Sequence, residues 1–216
     1  MTSYSTNPQL TIEDEEYTIL LEASEEFEKQ KTDKTFKERF GTAPEIVMRK
    51  HLLQRKLNLS LNPAITIEGS KIKNDLLLLK DKVDANQNAF PAASVKAVIA
   101  VRNNSVGVKV LKNGKREDPN KALRLKFNET EALTNVKNYV VIVLSETLLP
   151  PKGPYKWRFS EKAIGKANCR VFTLIARQLY PSGGLYVKSN IEEMLQNGQM
   201  KKTGEFEKLI KYLQNI

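Results

Sequence analysis

The side chains best suited to binding chemistry are cations at helical spacing near the C-terminal end. Lys162, Lys166, Arg170 and Arg177 recur at intervals of four, four and seven residues. We expect one helix from Ser160 to about Tyr180, which would place all four within a quarter of its circumference. Such a ridge can dock along a phosphate backbone and release counterions. The stripe therefore predicts a phosphate-binding surface, with an ordinary solvated helix face as the alternative.

A second candidate interleaves cations with aromatic rings between residues 151 and 159. Its members are Lys152, Tyr155, Lys156, Trp157 and Arg158. Single-stranded nucleic acid needs cations for its phosphates and ring faces for its bases, and each stacked base is worth ~1–3 kcal/mol. The segment therefore predicts stacking on a single strand. The alternative is a short strand whose aromatic side chains alternate into the core.

A third candidate surrounds Asn113-Gly114, a strong hairpin turn signal. Seven cations fall within 18 residues, opposed only by Glu117 and Asp118; they are Lys109, Lys112, Lys115, Arg116, Lys121, Arg124 and Lys126. Strict alternation predicts a last strand from Ala122 to Phe127, with Arg124 and Lys126 facing outward. A basic β-ribbon can follow a groove or a single strand. Lysines that guard a sheet edge are the alternative.

The charge of the chain is distributed unevenly. The whole chain has a net charge of +10, whereas residues 1–30 contain eight acidic residues and only one basic residue, Lys29. A body this basic attracts polyanions, and its acidic segment competes for the same surface. The residues from Thr11 to Asp14 indicate the start of a helix. We expect this acidic helix to pack on a basic surface, either its own or that of a second copy, which would allow self-association.

The elements that position these residues predict an α+β fold, with N-terminal helices, a central mostly antiparallel sheet and a C-terminal helical segment. A capping box at Thr42–Glu45 starts a second helix. Lys71–Val83 is ambiguous and is predicted as a helix because it lacks β-branched enrichment. Strands are predicted at Ala64–Glu68, Val95–Arg102, Val106–Leu111, Ala122–Phe127 and Asn138–Leu144, and short helices at Ile191–Leu195 and Glu205–Asn215.

The chain divides into three regions that we expect to form one compact domain. Residues 1–60 are helical, residues 61–149 are rich in strands, and residues 150–216 hold a basic linker and the last helices. The N-terminus lacks a signal-peptide pattern, and no apolar stretch reaches the length of a membrane span. A soluble intracellular protein is therefore expected.

Several catalytic classes find little support. His51 and Cys169 are the sole histidine and cysteine, so one chain can form neither a disulfide framework nor a Cys/His zinc cluster. There is no glycine-rich phosphate loop. Many restriction-type nucleases have an acidic residue followed two positions later by lysine. This chain contains no such pair. We therefore expect neither cofactor nor metal.

The sequence thus predicts a non-catalytic nucleic-acid-binding protein that favours single-stranded RNA or DNA. Phosphate contacts and aromatic stacking would hold the strand, and an oligomer would coat it in the manner of a nucleocapsid. The first alternative is a virion or scaffold protein assembled by head-to-tail acidic and basic contacts. The second is a metal-dependent nuclease, whose chemistry needs inward-facing carboxylates close together.

Overall fold

A computed structural model describes residues 7–33, 35, 41–104, 109–110, 116–147, 159–178 and 187–216. Its α-helices are α1 (Glu15–Thr32), α2 (Ala43–Gln54), α3 (Pro119–Thr134), α4 (Glu161–Ile164), α5 (Lys188–Gln196) and α6 (Glu205–Gln214). The strands are β1 (Thr66–Ile67), β2 (Leu76–Leu79), β3 (Ala89–Phe90), β4 (Val95–Asn104), β5 (Lys109–Val110), β6 (Arg116–Glu117), β7 (Tyr139–Thr147), β8 (Cys169–Arg177) and β9 (Met200–Lys202).

A five-stranded sheet lies between the helices in the order β2-β4-β7-β8-β9. Its two outer pairs, β2–β4 and β8–β9, are antiparallel. The inner pairs, β4–β7 and β7–β8, are parallel, with α3 and α4 in the connections between them. The predicted α+β fold, with helices at both ends of the chain and a central sheet, is confirmed. Two short pairs, β1–β3 and β5–β6, lie outside this sheet.

The sheet lies between two apolar cores, and its central strand, β7, is therefore buried on both faces. In β7, Val140 and Ile142 belong to one core, whereas Val141 and Val143 belong to the other. Helices α1, α2, α5 and α6 contribute to the first core, and α3 and α4 contribute to the second. The two helical layers therefore present separate surfaces to solvent.

Both predicted N-terminal helices are present. Helix α1 buries Ile19, Leu20 and Ala23 completely, so this acidic helix is part of the first core. Helix α2 begins with the predicted capping box, in which the backbone N–H of Thr42 donates to Glu45 Oε2 at 3.1 Å. Reciprocal capping of this kind satisfies backbone donors that a helix N-terminus leaves without partners.

The prediction of one long helix from Ser160 to Tyr180 is wrong. Helix α4 ends at Ile164, where Gly165 adopts the left-handed region at φ 65°. The chain then turns into β8, which pairs with β7. This strand is buried from Phe172 to Arg177, and it has the β-branched and aromatic residues that suit a central strand. Burial on both faces hides the alternation by which a strand is usually recognised.

The prediction of a strand at Ala122–Phe127 is also wrong, because this stretch lies within α3. Asp118 caps that helix by accepting the backbone N–H of Asn120 at 2.9 Å, and Pro119 occupies its first turn. Leu123 and Phe127 are buried four residues apart, which is the spacing of one helix face. Leu125, which the strand pattern directs inward, is instead 55% exposed.

The helix predicted at Lys71–Val83 is a strand, β2, at Leu76–Leu79. Its leucines alternate between the two cores, with Leu76 and Leu78 in the first and Leu77 and Leu79 in the second. A four-residue apolar run is long enough for a strand buried on both faces and too short for a helix. The hairpin around Asn113-Gly114 is represented by the antiparallel β5–β6 pair, and the turn itself lies outside the described residues. No helix in the described ranges is long and apolar enough to cross a membrane.

Candidate nucleic-acid interface

Helices α3 and α4 lie side by side on the second face of the sheet. The backbone N–H of Ser160, the cap of α4, donates to Asn120 Oδ1 at 3.2 Å. One turn further along α3, the Arg124 guanidinium lies against Gly165. A Cβ atom placed at that glycine would be 3.6 Å from Arg124 Nη1. Gly165 has a left-handed φ and lies close to this side chain, so residues of α3 and of the turn after α4 form one continuous surface.

Five cations define what we call the α3–α4 surface: Lys121, Arg124, Lys137, Lys162 and Lys166. The first two lie one turn apart on α3 and therefore share a helix face. Lys121, Lys137 and Lys162 are exposed, and Arg124 is partly exposed. Within the described part of the chain, these four side chains make no ion pair. Their charge is therefore available to an anion from solution.

Lys166 is the member of this surface that is held in place. Its ammonium donates to Asn128 Oδ1 at 3.0 Å and to Glu131, and it lies 5.2 Å from the ring centroid of Tyr139. The two hydrogen bonds use two of the three donors of the ammonium, and the ring contact is a cation–π interaction. Lys166 thus connects the turn after α4 to the C-terminal half of α3.

The other two basic segments connect to the same surface. The segment between β4 and α3 contains the hairpin cations, and the segment between β7 and α4 contains the aromatic rings. Because β4 and β7 are parallel neighbours, both segments start at the same edge of the sheet. They lead to Asn120 and Ser160, which are in contact. Of the predicted residues, Lys109 and Arg116 lie in the β5–β6 pair, and the following lie outside the described residues: Lys112, Lys115, Lys152, Tyr155, Lys156, Trp157 and Arg158.

The four-cation stripe predicted on one helix does not form, because its members lie on different elements. Arg177 is fully buried in β8, and its Nε donates to Ser145 Oγ at 3.1 Å, so it is absent from the surface. Arg170 is exposed and pairs with Glu161 at 3.0 Å. Lys162 and Lys166 are the two members of the stripe that remain on the α3–α4 surface.

Lys126 projects from another side of α3 into a cluster of charges beside β4. Asp75 directly precedes β2, and its carboxylate lies at the centre of this cluster. It accepts from the backbone N–H of Val101 at 2.9 Å and from Arg102 Nη1 at 2.7 Å. Lys126 Nζ lies 3.7 Å from the other oxygen of Asp75. Burial lowers the pKa of Lys126, although Asp75 opposes that shift.

Two charged residues of α2 extend this cluster. Burial raises the pKa of Glu45, and the negative charge of Asp75 adds to the shift. Arg49 is 8% exposed, and its Nη2 donates to the Asn62 carbonyl at 3.3 Å. Its buried Nε has no hydrogen-bond partner among the described residues. Two carboxylates and three cations therefore share a partly buried site where α2, α3 and the start of β2 meet.

Glu45, Asp75 and Arg102 are not among the site residues predicted from the sequence. Glu45 is predicted as part of a capping box, and it has that role. The one local signal was Asp75, an acidic residue placed directly before a run of four leucines. A polar residue at the end of a buried strand often faces a site at the sheet edge. The convergence of these residues depends on the pairing of β2 with β4, which the predicted helix at Lys71–Val83 excluded.

The acidic helix α1 lies on the opposite face of the sheet and pairs with cations of its own chain. Two of its carboxylates, Glu15 and Glu22, contact α2: His51 Nδ1 lies 3.0 Å from Glu15 Oε1, and Nε2 lies 3.1 Å from Glu22 Oε2. Lys50 donates to Glu22 at 2.6 Å, and Arg55 donates to Glu15. Lys50 of α2 and Arg55, which directly follows that helix, are therefore paired with carboxylates of the same chain.

Cys169 and His51 do not form a nucleophile–base pair, because the thiol belongs to the second core and His51 lies on the first face. The positive charges of Lys166 and Arg170 favour a lower pKa for Cys169, but the thiol is 1% exposed, and burial raises its pKa to about 12. A thiol of this kind is not activated as a nucleophile.

The described residues contain no group of three or more His, Cys, Asp or Glu side chains that could hold a metal ion. Comparison of the chain with protein-family models, curated protein sequences and solved structures finds no match. A functional interpretation therefore depends on the geometry and charge of the chain itself.

Proposed function

We propose that this protein binds nucleic acid through the α3–α4 surface and that it favours single strands. One observation carries the proposal: four of the five cations of this surface make no ion pair with another described residue, whereas Lys50 and Arg55, on the opposite face, are paired with α1. Free cations attract phosphates because their binding releases condensed counterions. Lys121, Arg124, Lys137 and Lys162 supply that charge, in a chain with a net charge of +10.

The connections of the basic segments support the same surface. Seven predicted site residues lie outside the described ranges. All seven belong to the two segments that lead to α3 and α4. These segments lead into Asn120 and Ser160, which are in contact at the starts of α3 and α4. The segment before α4 contains Trp157, the sole tryptophan, between Lys156 and Arg158. This combination of rings and cations favours a single strand, whose bases are free to stack.

Fluorescence anisotropy with labelled single-stranded DNA, single-stranded RNA and duplex DNA tests the proposal. The informative variant replaces Lys121, Arg124 and Lys162 with Gln. The matched control replaces Lys188, Lys208 and Lys211, which are exposed on α5 and α6. Both variants lose three positive charges. The control also removes the Lys188–Glu192 and Lys208–Glu205 ion pairs, which are exposed and therefore contribute little to stability.

We expect wild type and control to bind with similar affinity and the α3–α4 variant to bind at least tenfold more weakly. Each phosphate contact with a single strand contributes about 0.7 to the slope of log K against log salt concentration. The α3–α4 variant should therefore show a slope smaller by about two. Equal weakening of both variants would contradict the proposed surface, and the absence of binding by wild type would contradict the proposed function.

A metal-dependent nuclease is the second candidate, and the charged cluster favours it. Glu45 and Asp75 are near enough for the charge of Asp75 to raise the pKa of Glu45, and Lys126 projects between α3 and β4 toward them. Mg²⁺ commonly binds to one or two carboxylates together with substrate phosphates. The cluster also adjoins the helix that carries Lys121 and Arg124, so a bound strand would pass close to it.

Incubation of labelled oligonucleotides with Mg²⁺ or Mn²⁺ tests this candidate. Degradation that is abolished both in Glu45→Gln and in Asp75→Asn, while each variant still binds DNA without metal, would support it. Urea unfolding of both variants controls for the loss of the Arg102 contact. Intact oligonucleotide after prolonged incubation with wild type would rule out the nuclease and leave the binding function as the conclusion.

A further inference from the structure

A polar cleft of about 210 Å³ lies at the C-terminal end of α3. One wall is formed by Asn128 and Glu131 of α3 together with Lys137. The other is formed by the turn after α4, including Lys166 and Asn168. The cleft adjoins the basic α3–α4 surface, since Lys166 and Lys137 belong to both. It contains two amides, two ammonium groups and one carboxylate, and it has no aromatic side chain in its lining.

The hydrogen bonds already made in the cleft determine which groups remain for a ligand. Lys166 donates to Asn128 Oδ1 and to Glu131, so these two oxygens and the ammonium largely satisfy one another. Because Asn128 accepts through its oxygen, its NH₂ group remains a donor. The Lys137 ammonium and the Asn168 side chain make no hydrogen bond to another described residue. The free groups are therefore chiefly donors and include one unpaired positive charge.

The cleft is also held in position. The Asn168 carbonyl accepts the backbone N–H of Tyr139 at 2.9 Å, and the backbone N–H of Cys169 donates to the Lys166 carbonyl at 3.1 Å. The turn that carries Asn168 is thus fixed to the start of β7 and β8. Because the backbone of this turn is fixed, less conformational entropy is lost when the cleft binds a ligand.

We infer that this cleft holds one backbone phosphate of a nucleic-acid strand bound along the α3–α4 surface. Phosphate oxygens accept hydrogen bonds, and they match a site with two amide donors and an ammonium. The carboxylate of Glu131 does not repel the ligand strongly, because Lys166 neutralises it. A base would find no ring on which to stack. The inference rests on the proposed function and extends the contact surface to the C-terminal end of α3.

Two single variants, Lys137→Gln and Asn168→Ala, test the cleft in the full chain, with Lys211→Gln on α6 as the control for lost charge. Binding of a fluorescein-labelled 12-mer of deoxythymidine is measured by anisotropy at several salt concentrations. We expect Lys137→Gln to lower the affinity about three- to tenfold and to reduce the salt slope by about 0.7. Asn168→Ala should lower the affinity to a similar extent and leave the slope unchanged, because it removes a neutral donor.

Different results would contradict the cleft inference and the proposed function. If wild type binds the oligonucleotide and both cleft variants match Lys211→Gln in affinity and slope, the cleft inference is overturned and the proposed function stands. If wild type does not bind, both are overturned. Thermal unfolding followed by circular dichroism accompanies each variant. Asn168→Asp provides a second check, because an introduced carboxylate should weaken phosphate binding more than alanine does.

Discussion

The backbone N–H of Ser160 donates a 3.2 Å hydrogen bond to the side-chain oxygen of Asn120. This bond joins two points that lie 40 residues apart, at the starts of α3 and α4. Asn120 is 1% exposed, and its own position is fixed by the Asp118 cap. Two basic segments that leave neighbouring parallel strands are therefore brought to the same place. The proposed surface is a consequence of the parallel pairing of β4 with β7.

The length of this surface predicts a site size. Helix α3 has 16 residues and is therefore about 24 Å long. A stacked strand advances about 3.4 Å per nucleotide, so about seven nucleotides should lie along the helix. We expect affinity to rise with oligonucleotide length up to about seven and then to level off. Titration with single strands of increasing length, at a fixed salt concentration, measures this. A plateau reached with much shorter strands would limit the contact to one end of α3.

Trp157 offers a direct probe of stacking because it is the sole tryptophan in the chain. If its ring stacks on a base, the intrinsic fluorescence should fall as a deoxythymidine oligomer binds. We expect quenching to follow the same binding curve as anisotropy. Trp157→Phe should retain most of the affinity, because a ring remains for stacking, whereas Trp157→Ala should weaken binding about tenfold. Unchanged fluorescence at saturation would show that Trp157 does not contribute to binding.

The elements predicted correctly are those whose signals are local. The capping box at Thr42–Glu45 and the continuous β-branched run of β7 specify structure without reference to distant residues. Helix α3 also has a local signal, Asp118-Pro119 followed by leucines, but the alternation from Ala122 to Phe127 resembles that of a strand over six residues. The helix is selected because Leu123 and Phe127 fit one apolar face against the sheet, and that contact is tertiary.

The site was less predictable than the fold because its residues are assembled by strand pairing. Lys162 and Lys166 are predicted as phosphate-binding residues on one long helix, but that stretch contains the short helix α4 and the strand β8. They nevertheless share a surface with Arg124, because Gly165 ends α4 beside α3. No spacing in the sequence reports that contact. The same holds for Asp75 and Lys126, which are 51 positions apart in the sequence and adjacent across β2, β4 and α3.

His51 should contribute measurably to stability, because it joins α1 to α2. Its ring nitrogens lie within 3.1 Å of carboxylates on two turns of α1, and the residue is 4% exposed. We expect His51→Ala to lower the free energy of unfolding by about 2 kcal/mol. Urea unfolding monitored by circular dichroism measures this change.

Lys50→Ala is the matched comparison for His51. Lys50 also contacts Glu22, but its side chain is 54% exposed. Exposed ion pairs contribute little, so the loss should be about 0.5 kcal/mol or less. Equal losses for the two variants would mean that burial of His51 adds nothing to the contact between the helices.

Asp14 should make stability depend on pH in the acidic range. Its carboxylate precedes α1 and accepts from Lys202 of β9 and from the backbone N–H of Thr11 at 2.8 Å. Burial opposes ionisation, but these hydrogen bonds outweigh it and hold the pKa of Asp14 below its usual value. The folded state therefore binds the proton of this group more weakly than the unfolded state does. Its contribution is fully present above the ordinary carboxyl pKa and is lost as pH falls through the lowered value.

Urea unfolding of wild type and Asp14→Asn between pH 3 and pH 7 tests this dependence. At pH 7 we expect wild type to be more stable by about 0.5–1 kcal/mol, a range typical of a partly exposed ion pair. The difference should narrow below pH 4, as the carboxylate of wild type becomes protonated. Lys202→Met should reproduce most of the loss at pH 7, because it removes the principal partner of Asp14. A difference that stays constant from pH 3 to pH 7 would mean that Asp14 acts through its shape and uncharged hydrogen bonds, and would refute the electrostatic account of the contact between α1 and β9.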